Sequence, residues 1–405
     1  MTSTIVLPRP TPATCLVGAH LMSNLADGVR LTAFPLLVFA LTASPMWVSA
    51  AFAAGLVPSL LLGPLAGALA DRHDRRRLLR SVAAARTIML LALAATIAAG
   101  RTPIVLVLVV AALFGIGEAF TDNTMAAIVP SVIPRDRLDT VNGRMVGAQI
   151  IGNELAGPAI GSALFAVVAW LPFVSASGML TVALVLIGGL SLIAAPAPAV
   201  ATARTHHSDS MLEGLRFVAG SEVLRRTISA TALLAGIDAA WFSLLVVLVT
   251  DELGLSAATF GLLLAVGSAG GLAGAALAPR IAVAGAAALA GGVFGTMGLS
   301  LAAVWLSPSV VNVTIALVVT SAGFAAWNVA FAGVRQRATP NDVLGRVVAV
   351  SRTVTLLTSL VAALGGGWLT ARFGIGATIG IAAVTLLVSC PLVSRSMHGT
   401  ALRGT

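Results

Sequence analysis

Along most of its length the chain alternates apolar runs of about 20 residues with short polar connections. A run of that length crosses a hydrocarbon core of about 30 Å as an α-helix. In lipid only helices and closed barrels satisfy their own backbone polar groups. These runs are continuously apolar and lack the in–out alternation of barrel strands, which leaves helices. Composition agrees: 10% of the residues are charged, against roughly 25% in soluble domains. So apolar a chain could not cover its own surface with polar groups in water.

By this length criterion the sequence contains about twelve spans, roughly 16–41, 46–70, 78–99, 103–128, 139–168 and 172–195, then 227–250, 257–279, 282–306, 309–334, 343–371 and 374–395. The resulting division is a tail over 1–15, a first bundle over 16–195, a polar linker over 196–226, a second bundle over 227–395 and a tail over 396–405. A surface helix is expected in the linker at about 209–220. Residues Met1–Thr14 lack the basic start and cleavage pattern of a signal peptide, so the first span should be retained.

The formal charge of +9 sets 24 cationic residues, all of them Arg, against 15 acidic ones. Such a basic balance first suggests nucleic acid, yet the arginines sit in the connections. Arg72, Arg75, Arg76, Arg77 and Arg80 follow span 2, Arg135 and Arg137 follow span 4, and Arg335 and Arg337 follow span 10. The odd-numbered connections carry little besides Arg101, Arg372 and the acidic pair Asp251/Glu252. Basic residues favour the cytoplasmic side, so both termini and the linker are expected there, with no nucleic-acid partner. The lack of Lys and the Ala/Gly/Val/Arg bias suggest a GC-rich bacterial genome and hence the bacterial cytoplasmic membrane. Cys15 and Cys390 lie far apart in apolar stretches and read as free thiols, not a metal site.

The halves repeat. Gly63-Pro-Leu-Ala-Gly-Ala-Leu-Ala-Asp-Arg72 closes span 2, and Gly271-Leu-Ala-Gly-Ala-Ala-Leu-Ala-Pro-Arg280 closes span 8. Pro134 to Arg144 is echoed by Pro340 to Arg346, and Asp27 in span 1 corresponds roughly to Asp238 in span 7. Two such repeats around a central linker are the pattern of alternating-access carriers, with the site between the halves near mid-membrane.

Gly67, Asp71, Arg72, Arg75 and Arg76 resemble motif A of the major facilitator superfamily, Gly-x-x-x-Asp-Arg-x-Gly-Arg-Arg, with Asp74 in place of the second Gly. That resemblance implies a fold of two pseudo-symmetric six-helix bundles. It also implies a cytoplasmic charge latch at Asp71 and Arg72 against helix 11, in the first half only, because Pro279 replaces the Asp in the second. Gly157, Pro158 and Gly161 in span 5 resemble motif C, which is linked to drug and metabolite antiport; Ser162 replaces its last Gly. The stretches Ser23–Gly28, Leu41–Ser44, Glu118–Asp122, Val129–Pro134 and Leu138–Gly143 resemble a bacterial branch of macrolide and siderophore exporters. The Arg-x-x-x-Gly motif of many drug antiporters is absent from span 4, where Glu118 and Asp122 stand instead.

Ionisable residues inside spans are costly and therefore point to function. Asp27 and Arg30 share a face of span 1, and Glu118 and Asp122 a face of span 4. Gln149, Asn153 and Glu154 mark span 5, Asp238 span 7, and Arg352 in span 11 is a candidate partner for Glu154 or Glu118. In the resembled fold, spans 1, 4, 7 and 10 line the cavity. Burial favours the protonated form of a carboxyl group, which is the property proton coupling needs. Asp27 is the first candidate, with Glu118 and Asp122 next; a static Asp27–Arg30 pair is the other reading. His20 could face the cavity or simply pack. Trp241, Phe242, Phe324, Trp327 and Phe331 could stack on a substrate or fill the core.

No P-loop Lys, catalytic triad or metal cluster stands out. No cofactor and no enzymatic activity are expected. The expected activity is proton-coupled efflux of hydrophobic or amphipathic small molecules, drugs or macrolides among them, by a monomer in the lipid bilayer. An exporter of siderophores or other natural products, and a transport-inactive sensor or scaffold, stay open as alternatives.

Overall fold

A computed structural model describes residues 11–72, 74–193 and 207–398, of which 59, 61–72, 135, 190–193, 207–210 and 341 are described by backbone alone. The first half comprises α1 (Pro12–Thr42), α2 (Pro45–Arg72), α3 (Arg75–Ala98), α4 (Ile104–Val132), α5 (Leu138–Val167) and α6 (Leu171–Ile193). Helix α7 (His207–Gly220) follows. The second half comprises α8 (Glu222–Glu252), α9 (Ala257–Ile281), α10 (Ala286–Leu306), α11 (Val310–Arg337), α12 (Asn341–Phe373) and α13 (Ile375–Ser396). Among the described residues, 11 helices are long and apolar enough to cross a membrane, and α2 adds the shorter apolar stretch Pro45–Pro58. The chain is a multi-pass, all-helical membrane protein.

Helix starts follow local chemistry. Side-chain oxygens of Thr11, Ser221, Ser256 and Ser309 accept from the first free backbone N–H groups of α1, α8, α9 and α11. Asp74 does the same for α3, accepting from the N–H of Arg76 at 2.9 Å and of Arg77 at 3.2 Å. This accounts for an Asp where motif A has a second Gly: the position caps a helix. Gly374, at φ 80°, makes the sharp turn from α12 to α13.

The same partner pairing recurs in both halves. In the first, α1 packs on α5, α2 on α4, and α3 on α6; in the second, α8 packs on α12, α9 on α11, and α10 on α13. Close backbone approach makes two of these contacts possible. A Cβ on Gly115 of α4 would lie 2.7 Å from the carbonyl of Gly55 in α2. One on Gly274 of α9 would lie 2.1 Å from the carbonyl of Ala322 in α11.

Helix α7 lies where a linker helix was expected over 209–220. It sits against the start of α12, with Gly214 on the backbone of Arg346, a Glu213–Arg346 ion pair at 2.6 Å, and Val218 in a small core with Leu224, Ile228, Val347 and Val350. The ion pair is largely solvent-exposed, so Glu213→Ala should cost about 0.2–1 kcal/mol, read as a small fall in melting temperature. Helix α8 starts at Glu222, five residues before the expected edge at 227, because Ser221 caps it there.

The tightest approaches between the two halves gather at one end, where α1 and α5 finish and α2 and α9 begin. A Cβ on Gly261 of α9 would sit 1.7 Å from the hydroxyl of Ser162 in α5. A Cβ on Gly367 of α12 would sit 2.6 Å from the Ser49 side chain in α2. Both serines are fully buried. The two contacts are counterparts under the repeat, with serine and glycine exchanged between the partners. Nearby, Phe52 of α2 and Phe242 of α8 stand 6.2 Å apart across the same seam.

Candidate functional site

Asp27 is the middle residue of α1, and it is buried. Its partner is Arg86 of α3, whose guanidinium donates to the carboxylate and, at 3.2 Å, to the hydroxyl of Ser23. The Arg86 side chain is 1% exposed. It lies flat against Gly117 of α4, where a Cβ would fall 2.7 Å from its Cδ. Its charge stands over the Phe114 ring at 3.9 Å, a favourable cation–π distance. Arg30 approaches the same ring at 5.0 Å and pairs with Glu118 at 2.8 Å. The two arginines thus share one aromatic ring, and each holds one carboxylate.

Arg86 is absent from the sequence expectations, and the static Asp27–Arg30 pair considered there is replaced by a crossed pairing. The physical reason is reach: α3 packs on α4 and α6, and the long Arg86 side chain passes over Gly117 of α4 to Asp27, so partners come from other helices. A signal was present, an arginine well inside the apolar part of α3, far from the connection that would explain it by topology.

Asp122 lies one turn beyond Glu118 on α4 and is exposed. Among the described residues it makes no ion pair or hydrogen bond, yet it feels the charges of Glu118, Asp27, Arg86 and Arg352. Arg352 of α12 is exposed as well. It pairs with neither Glu118, which Arg30 occupies, nor Glu154, which is exposed and unpaired among the described residues. Arg352 acts on the first-half cluster only through its charge at Asp122. Asp238 of α8 is half-buried and likewise has no ion-pair or hydrogen-bond partner among the described residues. The structure therefore brings Asp27, Arg30, Glu118, Asp122 and Arg352 together and leaves Gln149, Glu154 and Asp238 outside the paired cluster.

Gly157, Pro158 and Gly161 are buried at the α1–α5 crossing. A Cβ on Gly157 would lie 2.6 Å from Gly28, and one on Gly161 would lie 2.5 Å from the Thr32 hydroxyl and the Val29 carbonyl. Pro158 cannot donate to the preceding turn, and directly before it α5 widens into a π-helical turn over Ile150–Ala156, which carries Asn153 and Glu154. Thr32 Oγ1 donates to the Pro158 carbonyl at 3.3 Å. Restoring the missing donor with Pro158→Ala should tighten that turn. The expected result is a gain of up to about 3 kcal/mol in helix stability, read as a higher melting temperature, with slower transport.

Of the expected latch, Gly67, Asp71 and Arg72 lie outside the residues whose side chains are described. Arg75 donates to the Ala127 carbonyl of α4 at 3.0 Å. Trp327 is fully buried, stacks on Phe331 at 3.9 Å and donates to Thr231 at 2.8 Å. Trp241 and Phe331 are buried too, so these three rings fill the core. His20 is buried and its Nδ1 stands 3.3 Å from Asn24 Nδ2.

Residues 12–399 match the family described as transmembrane secretion effector. An uncharacterised MFS-type transporter of Mycobacterium tuberculosis is 34% identical over 114 residues, 28% of this chain and 25% of that protein. Macrolide efflux protein A of Streptococcus pyogenes is 30% identical over 132 residues, 31% of each chain. The chain thus aligns with only about a quarter to a third of these relatives' length. In overall fold it is similar to a bacterial homologue of the iron transporter ferroportin, with a TM-score of 0.76 at 16% identity over 96% of this chain and 98% of that one. A bacterial homologue of the lysosomal transporter Spinster gives 0.74 at 15% identity over 97% and 98%. The chain belongs to the transmembrane secretion effector family of the major facilitator superfamily, a family of membrane transporters and not of enzymes.

Proposed function

We propose that this transporter is a proton-coupled exporter of hydrophobic or amphipathic small molecules, with drug- and macrolide-like compounds as substrates. The observation that carries this reading is the ion cluster inside the spans: Asp27 buried against Arg86, beside the exposed Asp122, which lies within reach of the charge of Arg352 of the other half. A buried carboxylate whose cationic partner sits in a packed wall can trade that partner for a proton, and so bias one conformation over another. The partial likeness to macrolide efflux protein A supports the substrate class.

In this reading the protein is a monomer in the bacterial cytoplasmic membrane, with two six-helix bundles, both termini and α7 on the cytoplasmic side, and Asp71 and Arg72 as the inner latch. The arginine-rich connections then face the cytoplasm. The end zipped by Ser49–Gly367 and Ser162–Gly261 is the outer end, and the conformation is inward-facing. An anionic substrate such as a siderophore fits less well, because Arg30 and Arg86 are already neutralised by Glu118 and Asp27.

The test is efflux of a panel of dyes and macrolides from cells, or uptake into inverted vesicles, with the proton gradient intact or collapsed. Collapse should abolish accumulation. Neutralising Asp27, Glu118 and Asp122 together should do the same with the gradient intact. Gradient-driven transport that survives the triple substitution rules out this coupling site.

A further inference from the structure

Arg86 is a buried cation with more hydrogen-bonding capacity than its present partners use. Its guanidinium reaches Asp27 and Ser23, while its Nε is buried with no partner among the described residues. Its stem lies along Gly117 and its charge against the Phe114 ring, both on α4, the helix that also carries Asp122. A guanidinium so placed cannot be left without an anion, since an unpaired buried charge costs several kcal/mol. When a proton neutralises Asp27, the cation must be met by another carboxylate.

The charged groups around this point can be followed helix by helix. Helix α1 itself brings Arg30 and His20; α3 brings Arg86; α4 brings Glu118 and Asp122; α12 brings Arg352. Helix α5 brings Glu154, which is exposed, and α8 brings Asp238. Helix α6 has no ionisable residue, and those of α2 stand at its far end. Glu118 is held by Arg30 at 2.8 Å. Asp122 remains: it has no ion pair among the described residues, it lies within the electrostatic reach of Arg86, and it is exposed.

We propose that Arg86 exchanges carboxylate partners, Asp27 in one state and Asp122 in the other, so that Asp122 is free to bind the single positive charge of a cationic amphiphile only while Asp27 is ionised. Arg86 is then a positioning residue and Asp122 the substrate-facing carboxylate. The inference rests on the proton-coupled reading above and adds to it both the charge of the substrate and the group that relays the proton's presence. Protonation of Asp27 moves Arg86 onto Asp122 and expels the cation. Binding of the cation returns Arg86 to Asp27, which releases its proton.

The experiment measures binding of tetraphenylphosphonium, a permanently charged lipophilic cation, to the purified full-length protein in detergent as a function of pH. No gradient is involved, so the result is separable from the efflux test. Wild-type affinity should rise at least tenfold from acid to alkaline pH. Asp122→Asn should remove binding at every pH. Asp27→Asn mimics the protonated state and should bind weakly at every pH, because Arg86 then occupies Asp122. Adding Arg86→Gln to Asp27→Asn should restore tight, pH-independent binding, with no cation left to cover Asp122. A purely structural role for Arg86, or direct binding of the cation at Asp27, predicts no such rescue. The proposal is overturned if the double variant binds as weakly as Asp27→Asn, if Asp27→Asn binds like wild type, or if wild type does not bind the probe. Size-exclusion profiles of each variant establish that the comparison is between folded proteins.

Discussion

Cysteines placed at positions 49 and 367 should let an oxidant stop transport and a reductant restore it. A Cβ built on Gly367 already falls 2.6 Å from the Ser49 Cβ. A disulfide asks for about 3.5–4.5 Å between Cβ atoms, so a displacement of an ångström or two suffices. In Ser49→Cys/Gly367→Cys, with Cys15 and Cys390 replaced, cross-linking would hold α2 and α12 together at the zipped end. Any cycle that must part those helices then halts, and the expected fall in transport is at least about tenfold, corresponding to about 1.4 kcal/mol of bias toward one state. The companion substitution works in reverse. Gly261→Leu places a side chain where Ser162 and the Pro158 carbonyl already are, and overpacking of this kind costs about 1–3 kcal/mol. It should therefore open the zipped end, so that a cysteine at position 49 becomes accessible to a membrane-impermeant maleimide in whole cells. Free transport by the oxidised double-cysteine protein would show that this seam does not open during the cycle.

The second large effect is on stability. Arg86→Leu removes the cation that balances Asp27, leaving a carboxylate 5% exposed in its side chain, with Arg30 already committed to Glu118. Breaking one side of a buried pair costs about 3–5 kcal/mol, whereas replacing both sides can be neutral. Asp27 must then be protonated in the folded protein, so the variant should be poorly stable at alkaline pH and recover as pH falls. Asp27→Asn should be the milder change, because Asp122 can still serve Arg86. Thermal unfolding of purified variants, followed across pH, checks the order: Arg86→Leu well below Asp27→Asn, and the Asp27→Asn/Arg86→Leu protein between Arg86→Leu and wild type.

The membrane-spanning helices and the two-fold echo were legible because helix length and apolar character are local properties. The same holds for α7, for the glycines of the α1–α5 crossing, and for Asp27, Glu118 and Asp122 as charges inside spans. Pairing was not legible. Asp27 and Arg86 are 59 residues apart, and nothing in the sequence near either one says that a side chain of α3 reaches α1 at that height. Arg30 beside Asp27 offered a nearer partner, and only the placement of α4 gives it to Glu118. The serine–glycine seam was hidden for the same reason. A glycine's role is set by what lies opposite, and Gly261 and Gly367 read in sequence as two among 41 glycines.

The crossed ion pairs also bear on how the chain is made. The apolar 18-residue stretch of α1 has a mean hydropathy of 1.5, against 2.4 for that of α4, and α1 carries Asp27 and Arg30 in its middle. Each such charge opposes membrane insertion by about 2.5–3.5 kcal/mol at a helix centre. Their partners, Arg86 and Glu118, are synthesised only later, on α3 and α4. Taken alone, α1 is therefore a weaker inserter than α4, and it gains its charge partners only when α3 and α4 follow it, so insertion of α1 through α4 should be cooperative.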